Sequence, residues 1–150
     1  MSRRFRIVAA ALAVLAVFAG GGCSIPRWPV HGTLTSPYGL RGFWPELHRG
    51  VDVSVPDGTP VQAMEGGVVE FAGQMSGYGN VVVLRHGTNL ETLYGHLSQI
   101  RVRQGERVEG RQVIALSGHS GNATGPHLHF EVRRWGRQED PVPLLGGGPR

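Results

Sequence analysis

His48-Arg49-Gly50-Val51-Asp52-Val53-Ser54-Val55-Pro56-Asp57-Gly58 sets the reading of the fold. Val51, Val53 and Val55 alternate with Asp52 and Ser54, a period of two that puts the valines on one face of a strand and the polar side chains on the other. Pro56-Asp57-Gly58 ends the strand, because proline sets φ and glycine takes a left-handed position at no steric cost. The same grammar runs outward along the chain. Apolar stretches predict strands at 61–63, 68–72, 80–85, 91–94, 111–117 and 128–134. Glycine breaks at Gly66-Gly67, Gly77/Gly79, Gly87, Gly105, Gly110 and Gly118/Gly121 separate them. Nothing beyond residue 22 sustains a 3.6-residue period, so an all-β fold is expected. Gly58-x-x-Val61 recurs as Gly105-x-x-Val108, by chance or as the trace of a duplicated β unit.

Composition agrees and removes several chemistries. The 150 residues include 24 glycines and 10 prolines, too many breakers for a helical bundle, and 40% hydrophobic residues, enough for one folded domain. All 15 basic side chains are arginine. Without lysine there is no Walker-type phosphate loop, no Schiff-base enzyme, and no biotinyl or lipoyl carrier, although the β pattern over 102–117 looks like a carrier domain.

Residues 1–22 read as an export signal: basic residues at 2–6, then an uncharged apolar run from 7 to 19, too short to span a bilayer comfortably. A buried helix is the alternative. Cys23, the sole cysteine, follows Ala19-Gly20-Gly21-Gly22 and resembles the lipidated cysteine of a bacterial lipoprotein, although Gly20 stands where a Leu-like residue is usual. Cleavage by the ordinary signal peptidase is the rival reading. Residues 23–27 then form a short tether, and 28–150 form the domain. Removing 1–22 takes away Arg3, Arg4 and Arg6, so the formal charge of +4 falls to about +1 and gives no support for nucleic-acid binding.

Three segments carry candidate chemistry. In Gly125-Pro126-His127-Leu128-His129-Phe130-Glu131, a strand would project His127 and His129 from one face and turn Leu128 and Phe130 to the core. Glu131 shares the histidine face and reads equally as a partner of His129 or as a solvated carboxylate. His48 and Asp52 are four apart, which in a straight strand is ~13 Å, so a bend at Gly50 is required for both to reach one ion. The third segment is Tyr94-Gly95-His96-Leu97-Ser98. A catalytic zinc takes three nitrogen or oxygen ligands and keeps an open position. These segments supply enough donors with histidines to spare, and no cysteine set that would suit a structural zinc finger.

In order, WPVHGTLTSPYGLR, HRGVDVSVPDGTPV, GYGNVVVLRHG, LYGHLS, VRQGERVEGRQVIALSG and ATGPHLHFEV resemble the lysostaphin-type (LytM-like) zinc metallopeptidases. The resemblance implies a compact β-sandwich of the barrel-sandwich hybrid (duplicated hybrid motif) type. It implies one zinc held by His48, Asp52 and His129, with His96 and His127 as catalytic histidines. It leaves His31, His86 and His119 outside the site. It further implies hydrolysis of peptide cross-links in bacterial peptidoglycan by an exported cell-envelope protein, periplasmic or anchored to the membrane through Cys23, with peptidoglycan stem peptides as substrate. Catalytically silent relatives that activate other wall hydrolases supply a second reading, and a bare metal-binding scaffold a third.

Overall fold

The computed structural model describes residues 25–41 and 46–150. The signal and Cys23 lie outside the described residues. Among the described residues thirteen strands follow in chain order: β1 (Thr33–Ser36), β2 (Gly39–Arg41), β3 (Glu46–His48), β4 (Val51–Ser54), β5 (Pro60–Gln62), β6 (Gly67–Met75), β7 (Gly79–His86), β8 (Leu90–Leu97), β9 (Gln99–Ile100), β10 (Arg107–Val108), β11 (Val113–Leu116), β12 (His127–Arg134) and β13 (Arg137–Glu139). A single helical turn, α1 (Pro141–Leu144), closes the order, capped by Asp140, whose side chain accepts from the Val142 amide. The chain is all-β. Among the described residues no helix is long and apolar enough to cross a membrane.

The strands form a sandwich. The large sheet runs β1-β4-β12-β8-β7-β6-β10, with β13 joined to the far half of β12, and the small sheet runs β5-β11-β9. β2 and β3 make a separate hairpin. Every pairing is antiparallel, as short turns between sequential strands require. Between the sheets lies one core. The valines of β4, Leu128, Phe130 and Val132 of β12, Leu84 and Tyr94 face Val61, Ile114 and Ala115, and all are buried. Trp28 packs on Phe130 with ring centroids 6.2 Å apart and donates to the Gly147 carbonyl at 2.7 Å, so the two ends of the domain close on each other.

Each strand expected from the apolar pattern is present. The segment beginning at 111 needs one correction: Arg111 has φ 69° and belongs to a turn in which the Gln112 amide donates to the Glu109 carbonyl, so the strand starts at Val113. Gly58 and Gly105 both take the left-handed conformation (φ 80° and 84°), and each leads into a strand that buries its valine, Val61 or Val108. The two halves of the sequence echo therefore have the same local structure.

Candidate metal centre

Asp52 and His129 are direct cross-strand partners on β4 and β12, so their side chains rise side by side from the face opposite the core. His48 reaches the same place from β3. The chain bends at Gly50, as the spacing requires, but not through a left-handed φ. What matters is space: a Cβ on Gly50 would stand 2.8 Å from Cγ of Glu131 and closer still to the Phe130 carbonyl oxygen. Glycine lets β12 pass this near.

The resulting geometry is a small triangle. His129 Nδ1 lies 2.8 Å from Asp52 Oδ1, His48 Nε2 lies 3.2 Å from the same oxygen, and the two nitrogens are 3.2 Å apart. The outer hydrogen bonds decide which atoms carry protons. His48 Nδ1 donates to the Pro37 carbonyl at 2.8 Å, which leaves Nε2 with a bare lone pair. His129 Nε2 donates to Glu131 Oε1 at 3.2 Å, which turns Nδ1 toward the triangle. Three electron-rich atoms thus converge, and either protons on the ring nitrogens or one cation must bridge them. A four-coordinate zinc at ~2.0–2.1 Å from each donor needs donor separations of about 3.3 Å, so the triangle fits one face of such a tetrahedron. Two imidazoles and a carboxylate are also a donor set that zinc favours.

The electrostatics express the same crowding. Burial alone would raise the Asp52 carboxyl, but hydrogen bonds and charge from His129 and His48 hold it well below the ordinary carboxylate range. Burial disfavours the charged His129 ring, yet bonds to Asp52 and Glu131 outweigh it and raise the ring above its ordinary value. Burial likewise opposes ionisation of Glu131, and His129, Tyr78 and Arg133 more than reverse this, bringing it down to about 2. Glu131 is wholly buried, so the partner reading holds over the solvated one.

His96 and His127 sit beside the triangle, their ring centroids 4.6 Å apart, with His96 also 5.9 Å from His129. In both rings Nδ1 donates to a backbone carbonyl, Ser120 at 2.7 Å for His96 and Gly125 at 2.8 Å for His127. Each neutral ring therefore keeps a bare Nε2. That of His127 is 3.8 Å from Asp52 Oδ1. Gly95 pairs with His129, so strict alternation would turn His96 to the opposite face. Its φ of 59° breaks the alternation, and its amide donates to the Tyr78 carbonyl. Burial pushes the His96 ring below its ordinary value, partly offset by the Ser120 carbonyl.

The five side chains line a groove of two lobes. One, about 290 Å³, is bordered by all five together with Tyr78, Asn122 and Thr124. The other, about 310 Å³, continues past Asp52 and His127 along Thr35, Ser36, Ser54 and Pro126. Tyr78 and Glu131 were not singled out by sequence as site residues; the only available signal was the position of Glu131 two residues beyond His129. The remaining histidines stand apart. His86 is buried between the Gly66 carbonyl (2.9 Å) and the Thr92 hydroxyl (2.7 Å), exposed His119 pairs with Asp57 at 2.8 Å, and His31 is exposed.

The β-sandwich thus gathers a His-Asp-His group that could hold a metal ion, with two further imidazoles beside it, in an open groove. Residues 46–141 match the model of peptidase family M23, and the chain belongs to that family. This bears out the lysostaphin-type resemblance. Among its relatives, DD-carboxypeptidase/endopeptidase Mpg of Neisseria meningitidis is 45% identical over 118 residues, covering 75% of this chain and 27% of that protein. Murein hydrolase activator EnvC of Escherichia coli is 41% identical over 133 residues, 84% of this chain and 31% of EnvC. The chain thus spans about a quarter to a third of these relatives. Among solved structures, a zinc-containing peptidase from Vibrio cholerae superposes with TM-score 0.74 at 32% identity, covering 84% of this chain and 40% of that one.

Proposed function

We propose that the chain is a zinc-dependent endopeptidase that hydrolyses peptide cross-links of bacterial peptidoglycan. The observation that carries this reading is the donor triangle flanked by two imidazoles whose Nε2 atoms are bare. His48, Asp52 and His129 would hold the ion. Zinc there would polarise a peptide carbonyl and lower the pKa of water toward neutrality. His96 and His127 move the protons: a bare Nε2 takes one from the attacking water and passes it to the leaving amine, and the imidazolium formed meanwhile stabilises the tetrahedral oxyanion. The Ser120 and Gly125 carbonyls fix both rings, so no reorientation is needed during the reaction. A groove continuing on both sides of Asp52 and His127 suits a peptide that crosses the site, which favours cleavage within a chain.

We place the protein in the bacterial cell envelope, with residues 1–22 as export signal, Cys23 lipidated, 23–27 as tether and 28–150 as the working domain. The similarity to an activator supports a second reading, in which the domain stimulates another wall hydrolase. Against it stands the full complement of His48, Asp52, His96, His127 and His129.

The test is digestion of purified cross-linked peptidoglycan with and without a chelator, followed by mass analysis of released muropeptides. Chelator-sensitive release of cross-link fragments is expected. No release, with stimulation of a second hydrolase, would replace this reading by the activator. Mass analysis of the mature N-terminus tests the anchor, which an unmodified Cys23 or another start would refute.

A further inference from the structure

Glu131 is an expensive residue to bury, since an ionised carboxylate loses its hydration and only full pairing offsets that loss. Here it is fully paired and wholly buried. Oε2 accepts from Arg133, Nε at 2.9 Å and Nη2 at 2.8 Å. Oε1 accepts from the Tyr78 hydroxyl at 2.6 Å and from His129 Nε2 at 3.2 Å. An apolar side chain of similar size would fill the space without the desolvation cost. The carboxylate has one partner that packing does not explain, the outer nitrogen of a ring whose inner nitrogen points at Asp52 and His48.

Resting on the zinc reading above, we infer that Glu131, clamped by Tyr78 and Arg133, is a positioning carboxylate that holds the proton of His129 on Nε2 and so keeps Nδ1 bare for the metal. A carboxylate acceptor also makes the opposite nitrogen a stronger donor to a cation. Two partners keep Glu131 itself from turning. The Arg133 fork fixes Oε2, and Tyr78, whose ring packs 5.4 Å from that of His129, fixes Oε1 from the groove side. Tyr78 borders the groove while touching the carboxylate, so it links the substrate side to the back of His129.

Glu131→Gln is the discriminating variant. Arg133 offers only donors, so the amide must give its oxygen to Arg133 and turn its NH2 toward Tyr78 and His129. Two donors then face each other across His129 Nε2, and the ring is driven to carry its proton on Nδ1, against the metal. Tyr78→Phe is the milder companion: it removes one hydroxyl and leaves ring packing and charge in place. Zinc alone is the probe, its affinity measured by competition with a chromophoric chelator on the full chain. Folding is followed by thermal melting, and the His129 Nε2 proton by NMR of the zinc-loaded protein.

The expected result is ~10–100-fold weaker zinc binding for Glu131→Gln and at least about threefold for Tyr78→Phe. The His129 Nε2 proton should move upfield in both. A carboxylate that only holds the fold would lower the melting temperature and leave affinity and the ring proton unchanged, and that result overturns the inference. If Glu131→Gln does not fold, Tyr78→Phe decides alone, and affinity within about twofold of the parent refutes the role. Failure of the parent protein to bind zinc would instead refute the underlying zinc reading.

Discussion

Gly50→Ala adds one methyl group just before β4, where β12 passes close by. The new Cβ would stand 2.8 Å from Cγ of Glu131, where carbon atoms settle at ~3.5–4.0 Å, so β4 and β12 must part by about 1 Å. Nothing soft is available to yield: the other atoms in contact belong to the Phe130 backbone, which is hydrogen-bonded into the sheet centre. Overpacking of this kind costs about 1–3 kcal/mol. The same displacement acts on chemistry, because Asp52 and His129 are cross-strand partners of the strands being parted. Their 2.8 Å separation would open toward ~3.8 Å, past the ~3.3 Å edge of a zinc tetrahedron. A misplacement of 1 Å lowers rate by ~10²-fold, so weakened zinc binding and a loss of that size in peptidoglycan hydrolysis are expected together. Urea denaturation and chelator competition on the same preparation measure both. Stability within about 0.5 kcal/mol of the parent, with unchanged zinc affinity, would show that the close approach of β12 is not what positions the triangle.

His129→Ala should abolish zinc binding and hydrolysis, whereas His127→Ala should keep the metal and lose rate by ~10²–10⁴-fold, the usual worth of a positioned acid–base group; near-normal turnover of the His127 variant would remove it from the proton-moving role. Burial holds the His86 ring below its ordinary value of 6.5, so folding favours the neutral ring. Its stabilising share is whole above pH ~6.5 and is lost as pH falls through the window below it, with a slope of at most ~1.4 kcal/mol per pH unit. His86→Gln should flatten that part of the stability–pH curve relative to the parent, and parallel curves would refute the assignment. Ser117, fully buried, donates to the Pro56 carbonyl at 2.7 Å and accepts from the Thr59 amide at 3.0 Å. Ser117→Ala should cost about 1–3 kcal/mol in denaturant melts while zinc affinity stays unchanged, since the staple lies at the turn between β4 and β5, away from the triangle.

What the sequence made legible follows from period two. Alternation gave β4 and β12 their core faces, and with them the shared outward face of Asp52, His127 and His129. Period two assigns a side chain to a face but does not say what covers that face. Glu131 was undecidable for this reason: its burial depends on Tyr78, 53 residues away in the chain, and on the fold of Arg133 back over the strand. His96 was a candidate from its segment, but its catalytic role came from the resemblance, because strict alternation predicts the wrong face for it and only its left-handed backbone corrects that. The short strands β1, β2, β3, β9, β10 and β13 hold at most one apolar residue each, so no apolar pattern marks them.

The bend at Gly50 shows how a right expectation can rest on an incomplete cause. Spacing demanded that His48 and Asp52 approach, and glycine was read as the residue that permits the turn. The backbone there adopts no conformation reserved for glycine, since Gly50 is absent from the positive-φ positions of the chain. The constraint comes from β12, which approaches so closely that any side chain at residue 50 would strike it. One missing methyl group therefore does two jobs. It lets the chain bring His48 over Asp52, and it lets the strand bearing His129 and Glu131 lie close enough to complete the triangle and back it with a carboxylate. Three donor side chains from two distant segments meet because the segment between two of them has no side chain in the way.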